Sequence, residues 1–229
     1  MSLLTIERDH MKRTSLMITT LCMTLLYCVP AMAEQHTGPY VGGYVGGNYL
    51  PTADSTDNKG SFNISYKTAL QWGAAIGWEL GPDNRLGGGT GRVELEYSRR
   101  SNDIDSIDFK EGSFSGSGKM ISDSVLFNCI YVHHNNTIWS PYLGVGAGVA
   151  FLKADDLRVT GRSISNDSTT EFAYQVGTGV EVALGGNVSL DIAYRFFGTL
   201  QPEFTETDGR TFKTDYFSHS ALLGVRYGF

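Results

Sequence analysis

The chain has 229 residues, enough for one sizeable domain, and 41% of them are hydrophobic, with a mean hydropathy of −0.15. The formal net charge is −6 at pH 7. No stretch gathers Lys and Arg into a basic stripe, which excludes a nucleic-acid-binding surface.

The N-terminal segment has the three parts of a secretory signal peptide. Lys12 and Arg13 precede an apolar run over residues 16–29, and Ala31-Met32-Ala33 follows as an A-x-A cleavage site. A membrane-anchoring helix is the alternative, but the run is short for a span of about 20 residues. We therefore predict an exported protein.

Cleavage after Ala33 would divide the chain into a signal peptide, residues 1–33, and one domain, residues 34–229. Met11 is an alternative start, because the ten residues before it add nothing that a signal peptide needs. The cleaved chain keeps Cys129 as its one cysteine. This excludes a disulfide within the chain and indicates a small apolar side chain rather than a nucleophile.

Eight later segments alternate between large apolar and small or polar side chains, which is the period of a β-strand. None of the chain after the signal has 18 consecutive apolar residues, so no transmembrane helix is expected. In chain order the segments are 38–50 (GPYVGGYVGGNYL), 69–80 (ALQWGAAIGWEL), 91–99 (GRVELEYSR), 121–132 (ISDSVLFNCIYV), 141–152 (PYLGVGAGVAFL), 171–184 (EFAYQVGTGVEVAL), 187–198 (NVSLDIAYRFFG) and 220–229 (SALLGVRYGF).

The connections between these segments alternate in length. Three are short and turn-like: GPDNRLGGG, HHNNT and GGN. The other four are long, polar and predicted to be loops, and they cover residues 51–65, 100–118, 153–170 and 201–214. Short turns at one end and long loops at the other are typical of antiparallel strands that cross a bilayer in order.

Strand length and the placement of aromatic residues indicate that the large apolar faces of the strands contact lipid. They do not indicate the dry core of a soluble protein. Many segments approach the nine to eleven residues of a tilted membrane-spanning strand, and their aromatic residues fall near strand ends, as interfacial girdles require. In lipid every backbone group must be paired, so such a sheet must close. We predict an all-β fold: an eight-stranded antiparallel up-and-down transmembrane β-barrel.

The sequence resembles the small eight-stranded bacterial outer-membrane proteins of the OmpA-barrel, OmpX and Opa-like surface-antigen type. The resemblance rests on GPYVGGYVGGNY, PYLGVGAGVAF, YQVGTGVEVAL, LDIAYRFF and HSALLGVRYGF, in that order. It implies a place in the bacterial outer membrane. It also implies that the last strand, whose apolar face is Leu223, Val225, Tyr227 and Phe229, is read by the barrel-assembly machinery.

Charged residues fall on the same strand faces as the glycines, which would turn them into the barrel interior. Eight strands leave an interior that side chains just fill, and charges removed from water must be paired. We expect a structural network of ion pairs, with a gated small pore and catalytic carboxylates as alternatives. Its members are Arg92, Glu94, Glu96, Glu181, Asp191, Arg195 and Arg226.

No catalytic, cofactor-binding or metal-binding residues are predicted. His219 and Ser220 are adjacent in a strand and point to opposite faces, so they cannot form a dyad. His133 and His134 lack an evident third ligand, and GVGAGVAF departs from the G-x-G-x-x-G spacing at Val149.

The expected function is that of a non-enzymatic surface antigen or adhesin, or of a protein that supports the envelope. A narrow pore and a lipid-A-modifying enzyme are the alternatives. The expected partners are outer-membrane lipid and lipopolysaccharide, the assembly machinery, and a surface or host ligand at the loops, with no nucleic acid. Candidate contacts with lipopolysaccharide phosphates are Arg99, Arg100, Arg158 and Arg162.

Overall fold

The computed structural model describes residues 37–57, 60–81, 89–109, 112–134, 137–159, 162–207 and 209–229. The predicted signal peptide, residues 1–33, lies outside these ranges. Among the described residues, no helix is long and apolar enough to cross a membrane.

Twelve strands make up the described fold. They are β1 (Gly38–Tyr49), β2 (Ala53–Asp57), β3 (Gly60–Tyr66), β4 (Ala69–Glu79), β5 (Thr90–Phe109), β6 (Gly112–Val132), β7 (Trp139–Val159), β8 (Arg162–Gly185), β9 (Val188–Thr199), β10 (Glu203–Thr205), β11 (Thr211–Thr214) and β12 (Phe217–Gly228).

Eight of these strands close into one antiparallel ring, in the order β1-β4-β5-β6-β7-β8-β9-β12 and back to β1. Each of the eight alternating segments of the sequence lies in one strand of this ring, so the barrel prediction is confirmed. The last strand, β12, pairs with β1 from Tyr40↔Gly228 to Tyr49↔His219. The alternation therefore reaches the end of the chain because β12 closes the ring.

The strands are tilted strongly against the barrel axis. Following paired residues around the ring from Tyr49 of β1 leads back to Pro39 of the same strand, ten residues earlier. With a rise of about 3.3 Å per residue and about 4.8 Å between strands, this stagger corresponds to a tilt of about 40°.

The outward side of this ring, which we call the membrane barrel, is apolar. Leu70, Ile76, Leu143 and Phe127 are more than half exposed, in a pattern that only lipid covers favourably. Inward glycines make room for tyrosine rings, as Gly73 does for Tyr44. A Cβ on Gly77 would lie 2.4 Å from Cζ of Tyr40.

The four regions predicted as long loops consist largely of strands, so this part of the prediction is wrong. The region 100–118 is the outer part of a hairpin in which β5 runs to Phe109 and β6 starts at Gly112, and 153–170 forms the ends of β7 and β8 in the same way. A strand of 20 residues spans about 65 Å along its length. These four strands therefore project well beyond the apolar band, which is about 25 Å tall in such barrels.

The projecting ends of β5 to β8 combine with four short strands into a second layer, the outer tier. β3 pairs with β5, β2 with β3, β11 with β2, and β10 with β11. Its interior is an apolar cluster that includes Ile64, Ile107, Leu157, Phe204 and Phe212, each at most 1% exposed.

Where β10 meets β8, side chains complete the outer tier. We call this contact the seam. Ser165 Oγ donates to the Thr205 carbonyl at 2.7 Å, and Thr205 N–H donates to Asp167 Oδ2 at 2.7 Å. One backbone bond, from Thr207 N–H to the Ile164 carbonyl, also crosses it. Hydrogen bonds from the backbone N–H groups of Thr205 and Ser168 hold the pKa of Asp167 below its usual value.

Candidate functional site: a filled barrel lumen

The lowest layer of the lumen is a compact group of buried ion pairs. Arg92 Nη1 lies 2.9 Å from Glu181 Oε2, and Arg226 pairs with both Glu79 and Glu181. The Arg92 guanidinium also lies 5.6 Å from the ring centre of Tyr40. Four strands thus meet through charges that neutralise one another.

The middle layer is built around two carboxylates of β5. Arg195 forms an ion pair with Glu96. Asn128 Nδ2 donates to Glu94 at 3.2 Å and to Glu96 at 3.1 Å, and the Tyr44 hydroxyl donates to Glu96 at 2.7 Å.

Two further contacts tie these layers together through tyrosine hydroxyls. Tyr40 donates to Glu94 at 2.8 Å, and Tyr142 donates to Asp191 at 2.8 Å. Tyrosine thus supplies neutral donors for two carboxylates to which no arginine is bonded among the described residues.

The upper layer is polar but almost uncharged. Ser220 Oγ bonds Asn48 and Gln71, and Asn48 Nδ2 donates to Asn102 at 2.7 Å. Arg100 is its one described cation and donates to Ser124 at 3.1 Å. Above this layer the apolar core of the outer tier begins.

All seven residues of the predicted charge network face the lumen. Six are linked through the contacts above, and Asp191 joins them through Tyr142, whose ring centre lies 5.5 Å from the Arg92 guanidinium. Glu79 and Arg100 also lie in the lumen but were not predicted as members of the network, and neither were the tyrosines that satisfy Glu94 and Asp191. Strand alternation could have found both charged residues, because Glu79 faces inward with Gln71 and Arg100 continues the register of Glu94 and Glu96. Arg100 was missed because the strand was ended at residue 99.

Two small cavities lie among these side chains. One cavity of about 50 Å³ is lined by Tyr40, Tyr44, Asp191 and Arg195, among others. A second of about 20 Å³ adjoins Asn128. These volumes correspond to a few water molecules at most.

The predicted lipopolysaccharide contacts are placed differently from one another. Arg99 faces outward and pairs with Asp123 at 3.0 Å, and Arg158 pairs with Asp156 at 2.8 Å on the outer tier. Arg100 is 0% exposed in the lumen, so its prediction as a surface contact is wrong. The side chain of Arg162 lies outside the described residues.

Towards the end of β12 the outward face consists of Leu223, Val225 and Tyr227, each between 45% and 53% exposed, and it continues to Phe229 at 65%. These four residues form one apolar stripe along the closing strand. The structure thus presents this face to the lipid side of the barrel.

His219 and Ser220 lie on opposite sides of the barrel wall. Ser220 is 2% exposed inside the lumen, whereas His219 Nδ1 lies 2.7 Å from the Tyr194 hydroxyl on the outer face. His134, at the inner mouth, contacts Thr90 at 2.9 Å. In the part of the chain that the structure describes, no three His, Cys, Asp or Glu side chains are grouped to hold a metal ion.

Solved structures show the same architecture. Neisserial surface protein A (NspA) is 22% identical with a TM-score of 0.51, covering 86% of this chain and 100% of its own. OprG from Pseudomonas aeruginosa is 12% identical with a TM-score of 0.58, over 86% and 100%. The outer membrane protease OmpT from Escherichia coli is 9% identical with a TM-score of 0.52, over 87% and 99%. At these identities the likeness concerns the fold alone.

The outer membrane protein PagN of Salmonella typhimurium (strain LT2) is similar in sequence. It is 26% identical over 115 residues, which cover 45% of this chain and 48% of PagN. The match thus spans about half the length of PagN.

The model of the outer membrane protein beta-barrel domain family matches residues 19–229. This range includes every strand of the closed ring and of the outer tier. The chain therefore belongs to the outer membrane protein β-barrel domain family and is a protein of the bacterial outer membrane.

Proposed function

We propose that this protein is a closed, non-enzymatic barrel that displays its outer tier at the cell surface, as a surface antigen or adhesin. The observation that carries the proposal is the continuous filling of the interior. Ion pairs and amides fill the membrane barrel, and apolar side chains fill the outer tier above it.

Closure argues against the alternative of a narrow pore. An ion that crossed the lumen would have to separate Arg92 from Glu181 and Arg195 from Glu96, and then pass the apolar core. Breaking one buried pair costs about 3–5 kcal/mol. The expected result in a planar lipid bilayer is therefore the absence of reproducible conductance steps.

Conductance of the purified barrel, in comparison with a porin of known conductance in the same bilayer, tests this proposal. Regular steps that scale with salt concentration would contradict a closed lumen and favour the pore. The variant Ile107→Asp disrupts the apolar core of the outer tier. It shows whether that core or the polar lumen of the membrane barrel blocks the passage of ions.

A display function needs a rigid outer surface, and the outer tier supplies one. Its outward side chains are polar, including Asp103, Lys119, Lys153 and Ser168, and the strands beneath them share one apolar core. Such a platform holds the described outer ends of β5 to β8 in fixed positions, and binding residues are commonly carried by loops on a rigid scaffold.

The surface role is tested by comparing cells that express the protein with cells that carry an empty vector. The measurements are binding of an antibody raised against the folded protein and attachment to immobilised host glycans and matrix proteins. Antibody binding without attachment would retain the surface antigen and remove the adhesin. Loss of both would contradict display.

We expect membrane lipid to surround the apolar outward side of the membrane barrel. Arg99 and Arg158 are proposed as contacts with lipopolysaccharide phosphates, although each already has a carboxylate partner. The stripe of Leu223, Val225, Tyr227 and Phe229 is proposed as the signal for the barrel-assembly machinery. Replacing Phe229 by Ser should lower the amount of folded barrel in membranes, whereas Thr211→Ser in the outer tier should not.

The enzyme alternative is tested on lipid A. Mass spectra of lipid A from expressing and non-expressing cells are expected to be identical, because Ser220 is buried in hydrogen bonds with Asn48 and Gln71. A lost or added acyl chain would contradict the proposal. Ser220→Ala and His219→Ala would then show whether either residue takes part.

A further inference from the structure

His134 completes a chain of hydrogen bonds at the inner mouth of the barrel. It follows the end of β6 at Val132, outside the membrane-spanning strands, and its side chain is 16% exposed. Its Nε2 lies 2.9 Å from Thr90 Oγ1, and its Nδ1 lies 3.3 Å from Ser140 Oγ. Thr90 Oγ1 in turn donates to Glu79 Oε1 at 3.1 Å. One imidazole ring thus connects β5 and β7 beside a buried carboxylate of β4.

These contacts determine where the hydrogens of the chain lie. A threonine hydroxyl has one hydrogen to donate, and Thr90 donates it to Glu79. The Nε2 atom of His134 therefore carries a hydrogen and donates it to Thr90 Oγ1. In a neutral imidazole the other nitrogen is an acceptor, so Nδ1 accepts from the Ser140 hydroxyl. The neutral ring thus satisfies every contact of the chain.

The charged groups that face the ring belong to the lowest ion-pair layer. Glu79 of β4 and Glu181 of β8 attract a positive ring, but Arg226 of β12 already pairs with both carboxylates. Arg92 of β5 also pairs with Glu181. Burial lowers the pKa of His134 below its ordinary value of 6.5. The two glutamates oppose this lowering, and the two arginines add to it. The site therefore favours the neutral ring.

We propose that His134 is a pH-sensitive switch at the inner mouth: the neutral ring binds the start of the β6–β7 connection to β4 and β5, and protonation releases it. The charged ring leaves for water, because the carboxylates beside it are already paired with arginine. Water then reaches the lowest ion-pair layer, while the layers above it stay filled.

The direction of the pH effect follows from linkage. Because the pKa of His134 is lower in the folded protein than in the unfolded chain, the stabilising contribution of the docked ring is complete above the unfolded pKa. It is lost as the pH falls through the folded pKa. Histidine is the side chain whose charge ordinarily changes between about pH 8 and pH 5, so mild acidification is the trigger.

Nitrogen NMR of the histidine rings, with the folded barrel in detergent micelles, provides the direct test. At neutral pH the His134 ring should carry its hydrogen on Nε2. It should also titrate at a lower pH than His133, its exposed neighbour on the same connection. A hydrogen on Nδ1, or a titration at or above the pH of His133, would overturn the proposal.

Hydrogen exchange measures the release itself. The N–H of His133 donates to the Pro141 carbonyl at 2.9 Å, so its protection shows whether the start of the connection is docked. After correction for the intrinsic exchange rate, this protection should fall several-fold from about pH 7 to about pH 5. His134→Gln cannot titrate and should abolish the pH dependence. Its matched control, His133→Gln, should retain it.

Ser140→Ala covers the case in which His134→Gln does not fold. This variant keeps the imidazole and removes the hydroxyl that donates to Nδ1 of the neutral, docked ring. The loss of protection at the His133 amide should therefore move to a higher pH. An unchanged pH dependence in Ser140→Ala, or protection that does not vary with pH in the wild type, would contradict the switch.

Discussion

The membrane barrel and the outer tier are both filled, but with opposite chemistry, and single strands pass from one to the other. In β5, Leu95 faces outward and Glu96 inward, whereas eight residues later Asp103 faces outward and Ile104 inward. The side-chain alternation continues while the polarity inverts. The difference follows from the surroundings, because lipid covers the lower wall and water covers the upper one.

The interiors of the two regions are stabilised by different interactions. The membrane barrel cannot use the hydrophobic effect between its wall and lipid, so inward polar groups stabilise it by pairing with one another. The outer tier stands in water, where burial of Ile64, Ile107 and Phe204 supplies the driving force, at about 25 cal/mol per Å². The predictions below test this division, in order of decreasing effect.

Placing a charge in the apolar core should have the largest effect. Ile107→Asp buries an unpaired carboxylate at a position that is 0% exposed, at a cost of several kcal/mol. We expect the outer tier to become sensitive to protease while the membrane barrel keeps its heat-dependent shift in gel mobility. The control Ser113→Asp adds the same charge at an exposed position of β6, and loss of the membrane barrel with the tier would show that the two regions are one unit.

Breaking the lowest ion-pair layer should destabilise the membrane barrel by about 3–5 kcal/mol. Arg92→Met removes one of the two arginines bound to Glu181, and urea unfolding in lipid vesicles measures the loss. Arg158→Met breaks an exposed pair and should cost about 1 kcal/mol or less. Equal losses would refute the distinction between buried and exposed pairs.

Filling the space beside a lumen tyrosine should cost about 1–3 kcal/mol. A Cβ on Gly77 would lie 2.4 Å from Tyr40 and 2.6 Å from the Val93 carbonyl, so Gly77→Ala must displace the ring that donates to Glu94. At Gly47 an added Cβ meets nothing within 4 Å. Gly47→Ala is therefore the matched control, and the same vesicle unfolding assay applies.

Acidification should weaken the seam, and this is the smallest of the expected effects. The pKa of Asp167 is lower in the folded protein than the usual 3.8, so its stabilising contribution is complete above the unfolded pKa and is lost as the pH falls through the folded one. Hydrogen exchange of the Thr205 amide should accelerate over this acidic range. Asp167→Asn should accelerate this exchange already at pH 7, whereas Asp105→Asn, away from the seam, should leave it unchanged.

Much of the membrane barrel was predictable because lipid makes the alternation of β-strands unusually strict. Leu70, Trp72 and Ile76 follow this alternation. The same alternation predicted the eight strands and placed Arg92 and Glu181 on the inward face. The outer tier was missed because Ser, Asp and Asn dominate its sequence. Its inward residues, such as Ile104 and Ile107, are separated by irregular spacing where the register shifts between Asp103 and Ser106.

The sequence by itself determined the period of the strands, the sign of each lumen charge and the apolar stripe that ends at Phe229, because these depend on neighbours along the chain. Only the tertiary structure decided that Arg226 meets Glu79 and Glu181, and that Arg100 meets none of the described carboxylates. Those contacts join residues far apart in sequence, and they are set by a stagger of ten residues around the ring. Closure of the ring fixes that stagger, and no local pattern encodes it.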